Sequence, residues 1–160
     1  MPRHGSLLVA AVLAGGLLVA FAALPPLPLL DTGDYEQTTV TVQSANGSEL
    51  GTVAVTVAET SAQRQIGLSR TDRLENGSGM LFVHDEPGAK SYVMRNMSFG
   101  IDIIFIDPDG TITEIHSARP PPAADAPYTG RGLYVLEVPR GWASASGVEV
   151  GDTVVIPETV

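Results

Sequence analysis

Short runs of alternating polar and apolar residues dominate the chain after residue 37. Such alternation is typical of strands that bury one face and expose the other. The pattern predicts strands at residues 38–43, 52–57, 79–84, 91–95, 101–107, 111–116, 133–138 and 153–156. The turn formers Asn46-Gly47 and Pro108-Asp109-Gly110 separate neighbouring runs, which are therefore predicted to pair as hairpins.

Two short helices are predicted between the strands. Thr60 and Gln63 have the spacing of a capping box and begin a helix that extends to about residue 69. Residues 139–146 form the second, with Pro139 at the start and Gly147 just past the end. About eight strands and two helices indicate a mainly β, α+β domain with a compact barrel or sandwich-like fold.

The first 30 residues follow a different pattern. Residues 7–23 form an apolar run just long enough to cross a bilayer as a helix. Arg3 precedes the run and acidic residues follow it, which predicts that the domain lies outside the membrane. An A-x-A sequence ending at Ala22 also fits a cleaved signal, so a membrane anchor and a secreted protein both stay open. We divide the chain into an anchor or signal at 1–30, a stalk at 31–37 and a domain at 38–160.

The charge of the domain limits its partners. All 18 acidic residues lie at or after Asp31, against eight basic ones, and Lys90 is the single lysine. A negative field repels nucleic acid, so no nucleic-acid partner is expected. Abundant carboxylates and scarce lysine fit a halophilic archaeon, although an acidic protein from a GC-rich genome has a similar composition. The absence of cysteine excludes disulfides and thiolate chemistry.

Several ordered motifs together resemble the family called domain of unknown function 192. They run from Arg64-x-x-Gly67-Leu68 to Gly151-Asp152 and include Gly79-Met80-Leu81-Phe82-Val83, Met94-Arg95-Asn96, residues 101–107, Tyr134-Val135-Leu136-Glu137-Val138-Pro139 and Gly147-Val148. The resemblance spans residues 40–156 and implies a β-rich fold, often behind an export signal, with no established activity. The sequence departs from the family at Ser69, where methionine is frequent, and at Tyr92-Val93, where tryptophan is common.

One segment suggests a polar binding site. Asp102 lies inside an apolar run, where a carboxylate is costly unless it is paired, so we expect it to meet Arg64 or Arg95 or to face a cleft. Arg64, Tyr92, Arg95, Asn96 and Asp102 are the candidate ligand-binding residues. The predicted role is a non-catalytic binding or accessory module at the cell surface, for a small molecule, peptide or surface glycan. A structural ion pair that fixes the loop is the competing interpretation.

Two other functions stay open. A hydrolase would use Asp102 with His84 or His116, but no known nucleophile motif is present. Met80, Met94 and Met97 with His84 would suit Cu(I), although buried methionines more often fill core gaps. We therefore predict no metal site and no cofactor.

Every asparagine of the chain begins an N-x-S sequence. Asn46 and Asn76 precede Gly-Ser in predicted turns and are candidate glycosylation sites, while Asn96 lies inside a family motif. The pattern fits an exported glycoprotein, and turn chemistry alone would also favour Asn-Gly-Ser.

Overall fold

The computed structural model of the protein describes residues 34–121 and 126–160. Seven strands and two short helices occur in these ranges. In chain order they are β1 (Glu36–Gln43), β2 (Glu49–Ala58), α1 (Ser61–Ile66), β3 (Ser78–Tyr92), β4 (Ile101–Ile106), β5 (Ile112–Ala118), β6 (Tyr128–Pro139), α2 (Trp142–Ser146) and β7 (Thr153–Val155).

The strands form one sheet in the order β5-β4-β6-β3-β2-β1-β7. Neighbouring strands are antiparallel except β2 and β3, which are parallel. The first and last strands of this order meet at one end, where the Val154 amide donates to the Gly110 carbonyl and the Ile112 amide donates to the Asp152 carbonyl, each at 2.8 Å. The sheet therefore curls into a half-barrel, which fits the barrel rather than the sandwich form of the predicted fold.

Both faces of the central strands are buried. The concave-face cluster draws on strands from both ends of the sheet and on α2, with members such as Val40, Leu81, Ile112 and Val154. The convex-face cluster contains alternate residues of β3 and β4, single residues of β2, β5 and β6, and loop residues. Its members are Ala58, Leu68, Met80, Phe82, Met94, Met97, Ile101, Ile103, Phe105, Ala118 and Val135. Because successive side chains of a strand point to opposite faces, a shift of the strand register by one residue moves a side chain from one cluster to the other.

The strand prediction differs from the structure at β6, which begins at Tyr128 rather than at residue 133, and is wrong at β3. Residues 79–84 and 91–95 were predicted as two strands separated by a turn, but residues 79–84 and 91–92 belong to the single strand β3, and residues 93–95 lie beyond its end. A register shift between Val83 and Gly88 accommodates the intervening residues while pairing with β6 resumes beyond it. Such irregularities bend a strand without ending it, so a turn-like sequence is compatible with a continuous strand.

The first helix begins as predicted. The Gln63 amide donates to the Thr60 hydroxyl at 3.1 Å, and the Gln63 side chain accepts from the Thr60 amide at 3.0 Å, which completes the capping box. The second helix begins later than predicted, since Gly141 rather than Pro139 is its N-cap, and Gly147 ends it as expected.

The predictions for residues 1–30, including the span at 7–23 and cleavage after Ala22, lie outside the described residues. Within residues 34–121 and 126–160, no helix has the length and apolar character needed to cross a membrane. The predicted stalk overlaps the sheet, because Glu36 and Gln37 already pair with Val57 and Thr56 of β2.

Candidate functional site

A cavity of about 530 Å³ opens on the convex face of the sheet. Helix α1 and the loop after it form one wall, and β3 with the loop after it forms the other. Buried side chains, among them Leu68, Phe82 and Glu137, form its floor, while Arg70, Arg95 and Asn96 are exposed at its rim. Its size lies within the range of small-molecule sites.

Positive charge is concentrated in this cavity. Of the eight basic residues that follow residue 33, four line it: Arg64, Arg70, Lys90 and Arg95. The chain as a whole carries 18 acidic residues and a net charge of −9, yet Glu137 is the single carboxyl among the described lining residues. A concave site with cations and low-dielectric walls attracts small anions.

Arg64 holds α1 against β3. Its Nη1 donates to the Val83 carbonyl at 2.7 Å and also to the Glu59 carbonyl, and its Nη2 donates to the Asp85 carboxylate at 3.1 Å. The Arg64 side chain is 14% exposed but Asp85 is 82% exposed, so the carbonyl bonds matter more than the ion pair. Arg64 therefore builds the wall of the cavity.

Two cations at the rim are free to contact a ligand. The side chains of Arg70 and Arg95 form no hydrogen bond or ion pair within the part of the chain that the structure describes. Next to Arg95, Asn96 has a φ of +55° and is the one non-glycine residue with positive φ among the described residues. Asparagine tolerates this left-handed conformation, which turns the loop at the rim of the cavity.

Glu137 is the most unusual residue of the cavity. It is 5% exposed, and its strand neighbours are the uncharged Met80 of β3 and Ile103 of β4. No hydrogen bond reaches its carboxyl from any described residue. Burial raises the pKa of Glu137 to about 8, so the carboxyl is mostly neutral at pH 7. A buried polar group without a partner, facing a cavity, is a feature that calls for a ligand or a solvent contact.

His84 and Tyr92 line the same cavity as a neutral pair. A hydrogen bond of 2.9 Å joins His84 Nε2 and the Tyr92 hydroxyl. Burial, with the nearby charges of Lys90 and Arg64, lowers the pKa of His84 to about 4, and burial raises the pKa of Tyr92 well above its usual value. Neither group changes charge near pH 7. They supply shape and hydrogen bonding to the cavity.

Residues 41–156 match the protein family DUF192, which is described as uncharacterized ACR. The chain belongs to this family. The match covers most of the domain, including every wall of the cavity, and the family description assigns no activity. No curated protein matches the chain.

Two solved structures are similar to this DUF192 domain. One, from Sinorhizobium meliloti, is described as a candidate transcription regulator; it is 30% identical, with a TM-score of 0.71, and the match covers 77% of this chain and 95% of that one. The other, from Novosphingobium aromaticivorans, is described as a protein of unknown function; it is 28% identical, with a TM-score of 0.68, and the match covers 79% and 95% of the two chains.

Four of the five residues predicted for the DUF192 site line the cavity: Arg64, Tyr92, Arg95 and Asn96. Asp102 does not, and the expectation that it meets Arg64 or Arg95 or faces a cleft is wrong. It is 2% exposed, and its Oδ2 accepts from the amides of Gly141 and Ala143 at 2.9 and 3.0 Å. Asp102 therefore caps α2. The physical reason is that successive side chains of a strand point to opposite faces of the sheet. Asp102 pairs with Val138 on the concave face, whereas Ile103 pairs with Glu137 on the convex face.

The residue that the sequence analysis left out of the site is Glu137. It stands alone among apolar residues in β6, as Asp102 does in β4. A carboxyl within an apolar run needs a partner or a cleft, and this holds for Glu137 as it does for Asp102. The signal was therefore present in the sequence, but only the fold shows which of the two carboxyls faces the cavity.

The remaining candidates, apart from Met97, lie outside the cavity. His116 on β5 contacts the Thr129 carbonyl at 2.8 Å and the Glu114 carboxylate at 3.3 Å, outside the cavity. The methionines 80, 94 and 97 all belong to the convex-face cluster, where they pack as core residues. Asn46 and Asn76 are exposed in turns. The Asn46 side chain accepts from the Ser48 amide at 2.9 Å, which is turn chemistry, and its glycosylation stays a prediction.

Proposed function

We propose that this domain is a non-catalytic binding module for small organic anions, and that the cavity between α1, β3 and β6 is its site. The observation that carries the proposal is the gathering of half of the domain's basic residues around one cavity in an acidic chain. Elsewhere the surface repels anions, so a ligand of this charge would be directed to the cavity. A carboxylate at a peptide end, an acidic sugar or a small metabolite has the required chemistry.

The rim supplies the ligand contacts. Arg70 and Arg95 have unoccupied guanidinium groups, and a guanidinium binds carboxylate or phosphate through paired hydrogen bonds. Phe82 and Tyr92 pack edge-on at a centroid distance of 5.2 Å and form an apolar surface beside the cations. A ligand would use both features if its anionic group bound the rim cations and its uncharged part packed against Phe82 and Tyr92.

A hydrolase that uses Asp102 with a histidine is disfavoured by the geometry. Asp102 lies on the opposite face of the sheet from His84, and His116 is outside the cavity. His84, with a pKa of about 4, is also a weak base near neutral pH. The acidic surface does not favour nucleic-acid binding.

We also propose that residues 1–30 place the module outside the cytoplasmic membrane, as an anchor or as a cleaved signal. Few lysines and many carboxylates support a saline environment. Fractionation of cells that express the full chain, followed by mass spectrometry of its N-terminus, tests this placement. Recovery of the intact chain in the soluble cytoplasmic fraction would contradict it.

Titration calorimetry tests the binding role. The full-length chain in detergent micelles is titrated with inorganic phosphate, citrate and D-glucuronate at two salt concentrations. At least one anion should bind, more weakly at the higher salt concentration. Arg95→Gln should weaken binding about tenfold, the effect of losing one charge-assisted contact.

Arg131→Gln is the matched control, because Arg131 is exposed on β6 and lies outside the cavity. It removes the same charge and should leave the affinity unchanged. The proposal fails if none of the anions binds, or if the Arg131 and Arg95 variants weaken binding equally.

A further inference from the structure

The floor and the rim of the cavity differ in chemistry. The rim carries the unpaired guanidinium groups of Arg70 and Arg95, whereas the floor carries the Glu137 carboxyl among apolar side chains. A ligand that fills a cavity of about 530 Å³ and binds the rim cations therefore extends toward a carboxyl that has no partner of its own. The two parts of the ligand must match these two environments.

We propose that Glu137 in its neutral form exchanges hydrogen bonds with a hydroxyl or carbonyl oxygen of the ligand, which makes hydroxylated or carbonyl-bearing carboxylates and phosphate esters the ligand class. This inference rests on the proposed anion-binding function. A neutral carboxyl both donates and accepts, so one hydroxyl group can satisfy both of its oxygens. A ligand without such a group leaves the buried carboxyl unsatisfied, which lowers affinity.

The surroundings of Glu137 favour the neutral form. Its strand neighbours Met80 and Ile103 are uncharged, and burial is the cause of its raised pKa of about 8. Tyr92 on β3 lines the same cavity and stays protonated, since burial and then the nearby Glu137 carboxyl raise its pKa well above the usual value.

The other charged or titratable groups of the cavity come from α1, β3 and the two loops: Arg64, Arg70, His84, Lys90 and Arg95. None of them pairs with Glu137 among the described residues. Of the groups whose pKa is shifted, only Glu137 titrates between pH 7 and 9. An ammonium group on the ligand would instead ionise Glu137, but it would first have to pass the basic rim.

Matched probes separate these possibilities. Binding of lactate is compared with propionate, glycerol 3-phosphate with propyl phosphate, and L-alanine with lactate, by NMR titration of the full-length chain in detergent micelles. Each of the first two pairs differs only in hydroxyl groups, and the third exchanges a hydroxyl for an ammonium. The hydroxylated member of at least one of the first two pairs should bind about tenfold more tightly, and that pair identifies the anion as carboxylate or phosphate.

Two variants of similar size test Glu137 itself. Glu137→Gln keeps a donor and an acceptor and should retain the preference, whereas Glu137→Leu should abolish it. Above pH 8 the ionised carboxyl repels the anion, so affinity should fall in the wild type and stay constant in Glu137→Gln. Thermal unfolding of both variants confirms that they are folded at the temperature of the titration.

The outcomes separate this inference from the proposed function. If both members of each pair bind equally to the wild type, the inference is overturned and anion binding stands. If the preference persists in Glu137→Leu, or if L-alanine binds more tightly than lactate, Glu137 does not act as proposed. If no probe binds, both proposals fail.

Discussion

Ionisation of Glu137 should make the free energy of unfolding fall as the pH rises. Burial raises the pKa of this carboxyl from 4.5 to about 8 in the folded protein, whereas in the unfolded chain it keeps the ordinary value. Between these two pH values the folded state holds one proton more than the unfolded state. The contribution of Glu137 to the free energy of unfolding is therefore fully present below pH 4.5. It decreases as the pH rises to about 8 and does not change further above that pH.

His84 has the opposite effect at lower pH. Its pKa is lowered from 6.5 to about 4 in the folded protein, so between these values the unfolded state holds the additional proton. Stability from this residue is present above pH 6.5 and is lost as the pH falls toward 4. The two effects oppose each other below pH 6.5, and Glu137 acts without His84 between pH 6.5 and 8.

The size of the effect follows from the width of this range. One additional proton changes the free energy of unfolding by about 1.4 kcal/mol for each pH unit. Over the range from pH 6.5 to 8 the loss is therefore about 1–2 kcal/mol, because Glu137 is already half ionised at pH 8. Domains of this kind are stable by only about 5–15 kcal/mol, so such a loss is easily measured.

Urea denaturation at pH 6.5, 7, 7.5 and 8 measures it. Trp142 is the single tryptophan and packs against the concave-face cluster, so its fluorescence reports unfolding. The wild type should lose about 1–2 kcal/mol across the series, while Glu137→Gln, which cannot ionise, should lose much less. Glu149→Gln changes the same charge at an exposed position and should follow the wild type. Parallel profiles for the wild type and Glu137→Gln would refute the reasoning.

Two further predictions concern helix ends. Asp102→Ala removes the acceptor for the Gly141 and Ala143 amides, so it should cost about 2–4 kcal/mol of stability and make amide exchange in α2 faster. Asp102→Asn should cost less. A loss of anion affinity without a loss of stability in Asp102→Ala would contradict the capping role. Thr60→Ala removes one half of the capping box of α1 and should lower the free energy of unfolding by about 1 kcal/mol. Thr60→Ser keeps the hydroxyl and is the control. If urea denaturation shows the same loss of stability in both variants, the hydroxyl contributes nothing.

Most of the strands and the start of α1 were predictable because their signals are local. The pattern of apolar residues placed β1, β2, β4, β5 and β7 close to their observed positions and found the second half of β6, which begins at Tyr128. The capping box of α1 was predicted from Thr60 and Gln63, which bond each other within one turn. The continuous β3 was missed, because a turn-like sequence at residues 85–88 is accommodated within a strand once β6 pairs on both sides of it.

The site was predictable in part. Arg64, Tyr92, Arg95 and Asn96 were named as candidates together with Asp102, and these four do line one cavity. Asp102 and Glu137 could not be told apart, since each is a carboxyl within an apolar run. Their roles depend on pairing between β4 and β6, where Asp102 is opposite Val138 and Ile103 is opposite Glu137.

The amino-acid sequence by itself determined the β-rich composition of this domain, most strand positions, the capping of α1 and the excess of negative charge. These properties depend on neighbouring residues or on the whole composition. Only the tertiary structure decided that Asp102 caps a helix, that Glu137 faces a cavity without a partner, and that half of the basic residues gather there. Those outcomes depend on strand register and sheet curvature, which join residues far apart in the chain and move a side chain to the opposite face when the register changes by one residue.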